Sequence, residues 1–203
     1  MKETTAKKKF MWNMAGSLCN SLSSMLLLII VNRISVESRG GFFALAYSTA
    51  QLLFSVGGFE IRPVQSTDIK NKFTFNQYFT SRMLNCIIML ICMIGYIVVN
   101  GYTGVEALTV FWILGYRMVE AVADVYSGLF QQRERIDISG KEMLMRSGIS
   151  TITFTIILWL TDNLLYAAMT LTLTSLVIML FYDLHMKKYF EPTPVHLEWR
   201  GIL

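Results

Sequence analysis

Charge is scarce in this chain. Only 16% of its 203 residues are Asp, Glu, Lys or Arg, against about 25% in a typical soluble domain. Histidine is scarcer still. His185 and His196 are the only two, both in the tail after the last apolar segment and without the spacing of metal ligands. No residue run alternates as a strand does, and no glycine-rich phosphate loop stands beside a strand. No nucleophile has a partner base in sight. The chain is therefore expected to be no enzyme and to hold no cofactor or metal. Its basic residues are spread over several segments instead of forming one stripe, which argues against a nucleic-acid partner. The three cysteines, Cys19, Cys86 and Cys92, all lie in apolar helical stretches. Cys86 and Cys92 point to different sides of one helix and cannot bridge. All three are expected as packing residues with no redox role. A cleavable signal peptide is also missing. Lys7, Lys8 and Lys9 precede an apolar run, but no small-x-small cleavage site follows Val31. Cys19 precedes the apolar core of that run, so it does not sit where a lipoprotein cysteine would. The segment is expected to be a retained first helix.

What remains is apolar. The chain is 54% hydrophobic, with mean hydropathy +0.48, the balance of a multi-span membrane protein. The pattern predicts an all-α bundle of six membrane-spanning helices, over 15–31, 42–59, 83–99, 105–132, 144–160 and 164–182. These lengths can cross a bilayer. The first is rich in small and hydroxyl residues in its front half, which lets helices approach closely. The second is bracketed by Gly40-Gly41 and Gly57-Gly58. The third is greasy nearly all round and is expected to face lipid. The connectors 100–104 and 161–163 carry no Lys or Arg, and 32–41 carries Arg33 and Arg39. All other basic residues except Arg117 fall on the opposite side, Arg82, Arg146 and Lys187 among them. Positive charge collects on the cytoplasmic face, so both termini are expected in the cytoplasm.

The fourth predicted span, VEALTVFWILGYRMVEAVADVYSGLFQQ, organises the rest. At about 100° per residue, Glu120 falls about 60° and Asp124 about 20° from Arg117. Ser127, Gly128 and Gln131 share that sector, and the opposite one is apolar. A charge at mid-membrane costs about 2.5–3.5 kcal/mol or more, so the stripe must face protein or water. One reading is structural: Arg117 and Glu120 pair along the helix. The other is functional: the stripe lines a wet path for a polar solute. The loop GGFEIRPVQSTDIKNKFTFNQYFTSR invites a similar choice. Pro63 is expected to end the preceding helix. Arg62 either snorkels to the surface or, with Gln65, forms a mouth for an anionic head group, which suits its planar fork. QQRERIDISGKEMLMR is expected to be a solvated turn whose alternating charges can hold neighbouring hairpins in register.

Taken together, AGSLCNSLSSMLLLIIVNRI, GGFEIRPVQSTDIKNKF and YRMVEAVADVYSGLFQQRERIDISGK resemble polysaccharide flippases of the multidrug/oligosaccharidyl-lipid/polysaccharide exporter superfamily. The order R-x-x-E-x-x-x-D-x-x-x-G-x-x-Q followed by R-x-R-x-D carries most of that likeness, which is strongest to the O-antigen and capsule branch. The resemblance implies a V-shaped protein of two six-helix lobes in the bacterial inner membrane. Such a protein flips a polyprenyl-diphosphate-linked oligosaccharide from the cytoplasmic to the outer leaflet during surface polysaccharide synthesis. It implies that residues 1–190 form the N-terminal lobe and 191–203 begin a connector to a second lobe. On that reading the chain is a half or fragment that needs the other lobe, with a lipid bilayer and polymerase or glycosyltransferase components as further partners. Arg117, Gln51, Asn20, Ser24 and Gln131 would meet the head group beside Arg62, with Glu120 and Asp124 able to titrate or bind a cation. The rival readings are half of a cation-coupled multidrug antiporter and a non-transporting scaffold of a polysaccharide-assembly complex. A membrane-embedded transferase or hydrolase would need paired acids at a membrane surface, and none is evident.

Overall fold

Local sequence signals place the helix ends. Thr74 and Gln77 form a reciprocal capping box, Gln77 N donating to Thr74 Oγ1 at 3.2 Å and Thr74 N to Gln77 Oε1 at 3.0 Å. This satisfies two orphan donors at one helix start. Asn163 caps another start by accepting from the amides of Leu165 and Tyr166. Between those two caps, Asp162 (φ 45°) turns the chain in the left-handed region. Asp68 closes the loop before the capping box. Its carboxylate accepts the amides of Lys72 at 2.9 Å and Phe73 at 3.0 Å, and those donors hold it below its ordinary pKa.

A computed structural model describes residues 5–35, 37–57, 61–68 and 70–198. The helices are α1 (Ala6–Ile34), α2 (Glu37–Gly57), α3 (Ile61–Thr67), α4 (Phe75–Val99), α5 (Gly104–Gln132), α6 (Ile136–Thr161), α7 (Leu164–Ile178) and α8 (Leu184–Phe190). A π-helical turn over Met179–Asp183 joins α7 to α8. The described residues are 86% helical, with no strand among them. The expected all-α class stands. The expectation of six spans is met only in part. Among the described residues four helices are long and apolar enough to cross a membrane: Ala6–Ile34, Phe75–Val99, Ile136–Thr161 and the continuous Leu164–Phe190. They point to a multi-pass membrane protein. Both α2, with 21 residues, and α5, with 29, have the length. Their apolar residues are interleaved with Ser48, Thr49 and Gln51 in α2 and with Arg117, Glu120 and Asp124 in α5.

At the centre stands α5, packed against α2, α3, α4, α6 and α7, while α1 leans on α6 and α2. Two large apolar clusters stack along it, beside a small one of Val119, Ala123 and Met179. One gathers Leu27, Phe43, Met93, Ile113, Phe154 and Leu171. The other gathers Ile61, Phe75, Tyr78, Phe130 and Ile138, with Phe190 against it. Between them lies a polar layer, described below. The outer surface is inverted relative to a soluble protein. Ile87, Ile91, Ile94 and Val98 of α4 are exposed, as are Ile152 and Ile156 of α6 and Phe181 of the π turn. An apolar exterior of this kind suits lipid, as expected of the third predicted span.

Several boundaries move, with consequences for charge. Lys7, Lys8 and Lys9 are already in α1. Pro63 does not end a helix: α2 stops at Gly57 and Pro63 sits in the first turn of α3, where a missing N–H costs nothing. The expected solvated turn after α5 shrinks to residues 133–135. Asp137 is fully buried and paired with Arg135 at 2.9 Å. Arg82 and Arg146 are interior helical residues, and Lys187 is buried with its ammonium on the carbonyls of Glu191 and Thr193. None of these three is a surface charge.

Beyond α8, which ends before Pro192, the tail lies against α4. Asn76 Nδ2 meets Pro194 O at 3.3 Å and His196 Nδ1 at 2.9 Å, and Glu198 N donates to Thr80 Oγ1 at 2.8 Å. His196 therefore pins the tail. Trp199, Arg200, Ile202 and Leu203 of the expected connector lie outside the described residues, as do Lys2 and Gly58. Cys86 is buried, Cys19 half-buried and Cys92 exposed, all as free thiols. Cys92 is thus not the packing residue expected.

Candidate functional site

The polar layer draws on five helices around α5. Successive turns of α5 supply Arg117, Glu120 and Asp124. From α1 come Asn20 and Ser24, from α2 Tyr47 and Gln51, from α3 Arg62, from α4 Arg82, and from α6 Glu142, Arg146 and Ser147. Helix periodicity explains why α5 can serve several neighbours with one stripe: residues three and four apart share a face.

The stripe divides into two centres. In the first, Arg117 and Glu120 form an intrahelical ion pair, so the structural reading of these two residues holds. Asn20 Nδ2 donates to Glu120 Oε1 at 2.8 Å, and Asn20 Oδ1 accepts from Ser147 Oγ at 2.7 Å. The Arg117 guanidinium also lies 4.4 Å from the Tyr47 ring centroid, a cation–π contact. Its Nε and Nη2 find no acceptor among the described residues. In the second, Asp124 does not join Arg117. It bridges Arg62 Nη1 at 3.1 Å and Arg82 Nη2 at 3.0 Å, tying α3 and α4 to α5. Arg62 Nε also donates to Gln131 Oε1 at 3.4 Å.

Two adjoining cavities run along these centres. The larger, about 740 Å³, is lined by the polar Arg117, Glu120, Asn20, Ser24, Tyr47 and Gln51 together with the apolar Met25, Leu28 and Leu52. The smaller, about 210 Å³, is lined by Arg62, Asp124, Arg146, Ser127 and Met143. Asn20, Phe54 and Glu120 border both, so the two form one groove. All six residues expected to line a site, Arg117, Glu120, Asp124, Arg62, Gln51 and Gln131, are at or beside it. Gln131 takes part only through Arg62. Gln65 does not form a mouth with Arg62. It is buried against Gly128, with no hydrogen-bond partner for its amide among the described residues.

Three charged residues of the layer lie outside the set that the sequence pattern assigns to it: Arg82, Glu142 and Arg146. Glu142 Oε1 accepts from Arg146 Nε at 2.5 Å inside α6. The T-x-x-Q box at Thr74 marks the true start of α4 and is the signal that places Arg82 inside the helix. The i,i+4 spacing of Glu142 and Arg146 serves α6 in the same way.

Asp124 is the joint that holds α3 down. Replacing it with alanine is expected to speed amide exchange across 61–67 by about tenfold or more, which is ~1.4 kcal/mol of local opening. Hydrogen–deuterium exchange of the chain in a detergent micelle reads this directly. Unchanged exchange there would show that Ile61 and Gln65 alone anchor α3.

Comparison with protein-family models, with curated proteins and with solved structures finds no match to the chain. Among the described residues no group of three or more His, Cys, Asp or Glu side chains could hold a metal ion.

Proposed function

We propose that the chain is one lobe of a membrane flippase that moves a polyprenyl-diphosphate-linked oligosaccharide across the bacterial cytoplasmic membrane for surface polysaccharide synthesis. In this reading α2 and α5 cross the membrane with the four apolar helices, making six spans with both termini in the cytoplasm. A second lobe faces the groove. The observation that carries the reading is the larger cavity, whose lining combines guanidinium, amide and hydroxyl groups with the apolar Met25, Leu28 and Leu52.

That wall chemistry fits an amphiphile with an anionic head. The diphosphate suits Arg62 and Arg117, since guanidinium donors meet phosphate oxygens in a planar fork. Arg117 has donors left over from Glu120, so an anion can be bound without breaking the ion pair. Gln51, Ser24 and Asn20 suit glycan hydroxyls. The polyprenyl tail stays in lipid along the exposed Met25 and Leu52. A cationic cargo would meet two arginines first, which disfavours the antiporter reading. Polymerase or glycosyltransferase components are partners on this view because they make and use the same lipid-linked glycan.

The reading is tested by binding in lipid nanodiscs, with undecaprenyl-diphosphate oligosaccharide and a hydrophobic cationic dye as probes. The lipid-linked glycan is expected to bind, and Arg62→Gln and Gln51→Leu to weaken it about tenfold each, ~1.4 kcal/mol. Restoration of surface glycan in a flippase-null strain, with the second lobe supplied, is the cellular counterpart. Binding of the dye with indifference to the glycan would turn the assignment to the antiporter class. Binding of neither would leave a scaffold.

A further inference from the structure

On the side of α6 away from α1, one buried carboxylate lacks any hydrogen bond. Asp183 closes the π-helical turn and is 1% exposed. Neither of its oxygens has a partner among the described residues. Glu142, 0% exposed, and Arg146, 2% exposed, lie on α6, which packs against the π turn. Tyr126, also buried, lies on α5, which touches the same turn, and Tyr182 is the neighbour of Asp183 in the π turn. On α5, Glu120 and Tyr116 lie within electrostatic reach of Arg146. In α8, Lys187 is spent on the tail carbonyls, and α7 brings no ionisable side chain between Leu164 and Ile178 except Tyr166, which is exposed.

The charge count decides what this cluster can be. Arg146 Nε is committed to Glu142 Oε1, so that pair is internally neutral. An ionised Asp183 would then stand as an uncompensated charge in a dry interior, which proteins avoid by neutralising the group. A π turn interrupts the regular i→i−4 ladder and often marks a functional position. Here it sets Asp183 opposite α6.

We propose that Asp183, Glu142 and Arg146 form a proton-binding site, in which a single proton rests on Asp183 in this conformation. Release breaks the Asp183 O–H bond. The electron pair stays on the carboxylate and the proton passes to water. The carboxylate then competes with Glu142 for Arg146, whose Nη1 has no acceptor at present. Arg146 also lines the smaller cavity beside Glu120 and Asp124. Loading or unloading the proton therefore changes the field in the groove without any group in the groove itself titrating.

Infrared spectroscopy of the whole chain in nanodiscs at neutral pH tests this without cargo, so its outcome is separate from that of the transport reading. A protonated-carboxyl C=O band is expected, and it should move to lower frequency when only aspartate carries ¹³C. The other described aspartates are ion-paired or accept backbone amides, so the labelled band belongs to Asp183. Asp183→Asn should abolish it. Glu142→Gln should abolish it too, because the freed guanidinium then holds Asp183 as its carboxylate. Absence of the band, a band untouched by the aspartate label, or one that survives Glu142→Gln would each overturn the proposal. The labelling result needs no variant to fold.

Discussion

Replacing Arg117 with alanine should lower the unfolding free energy of the chain by about 3–5 kcal/mol, the usual consequence of stranding one member of a buried ion pair. Glu120 is 6% exposed, and without the guanidinium its carboxylate keeps only Asn20 as a direct donor. The stack on Tyr47 is lost as well. The double variant Arg117→Ala with Glu120→Gln should recover most of the loss, because the amide leaves no orphan charge and can still accept from Asn20. Reversible unfolding in mixed micelles, run as a double-mutant cycle, measures the coupling. A loss under about 1 kcal/mol for Arg117→Ala is what an exposed pair would give. It would mean that water in the groove already solvates Glu120. The two outcomes thus distinguish a groove that is dry in this state from one that is open.

The same pair is the part of the site most legible in the sequence. The 3.6-residue period of α5 puts Arg117 and Glu120 on one face, and their pairing follows from spacing alone. Asp124 shares the sector, but it sits two turns on from Arg117, too far to reach it. Its partners, Arg62 and Arg82, come from α3 and α4. No periodicity within α5 can name them, since they depend on how α3 folds back after Gly57. Arg82 and Glu142, the partner of Arg146, escape for a different reason. Hydropathy places the end of a span where charges begin, whereas the helices continue, α4 back to Phe75 and α6 back to Ile136. Capping and i,i+4 signals see that continuation; a hydropathy threshold does not. The residue pattern counts α2 and α5 as spans, but the polar residues interleaved in them leave both outside the set of helices long and apolar enough to cross a membrane, although α5 is the helix on which the others pack. Asp183 carries no signal in the sequence, because a π turn has no signature in residue period.

Gly140→Val should do more damage than any other single change on the α1–α6 seam. The two helices cross where Gly16 faces Gly140. A Cβ built on Gly140 would fall on the backbone of Trp12 and Asn13, and one built on Gly16 would come within 2.8 Å of Gly140 Cα. Backbone cannot rotate away as a side chain can, so the helices must separate. Overpacking of this kind costs about 1–3 kcal/mol, occasionally more. Separation would also draw Asn20 away from Glu120 and Ser147, because α1 is the element that carries Asn20 into the groove. The variant is thus expected to melt earlier and, on the transport reading, to bind lipid-linked glycan several-fold more weakly. Gly148→Ala is the matched control. It lies on the same helix, where an added Cβ would meet only Cys19 Sγ at 3.7 Å, an ordinary contact. Thermal melting of both variants in one detergent decides the matter. Equal shifts would mean that α1 is free to slide on α6, and the groove would then owe its shape to α2 and α5 alone.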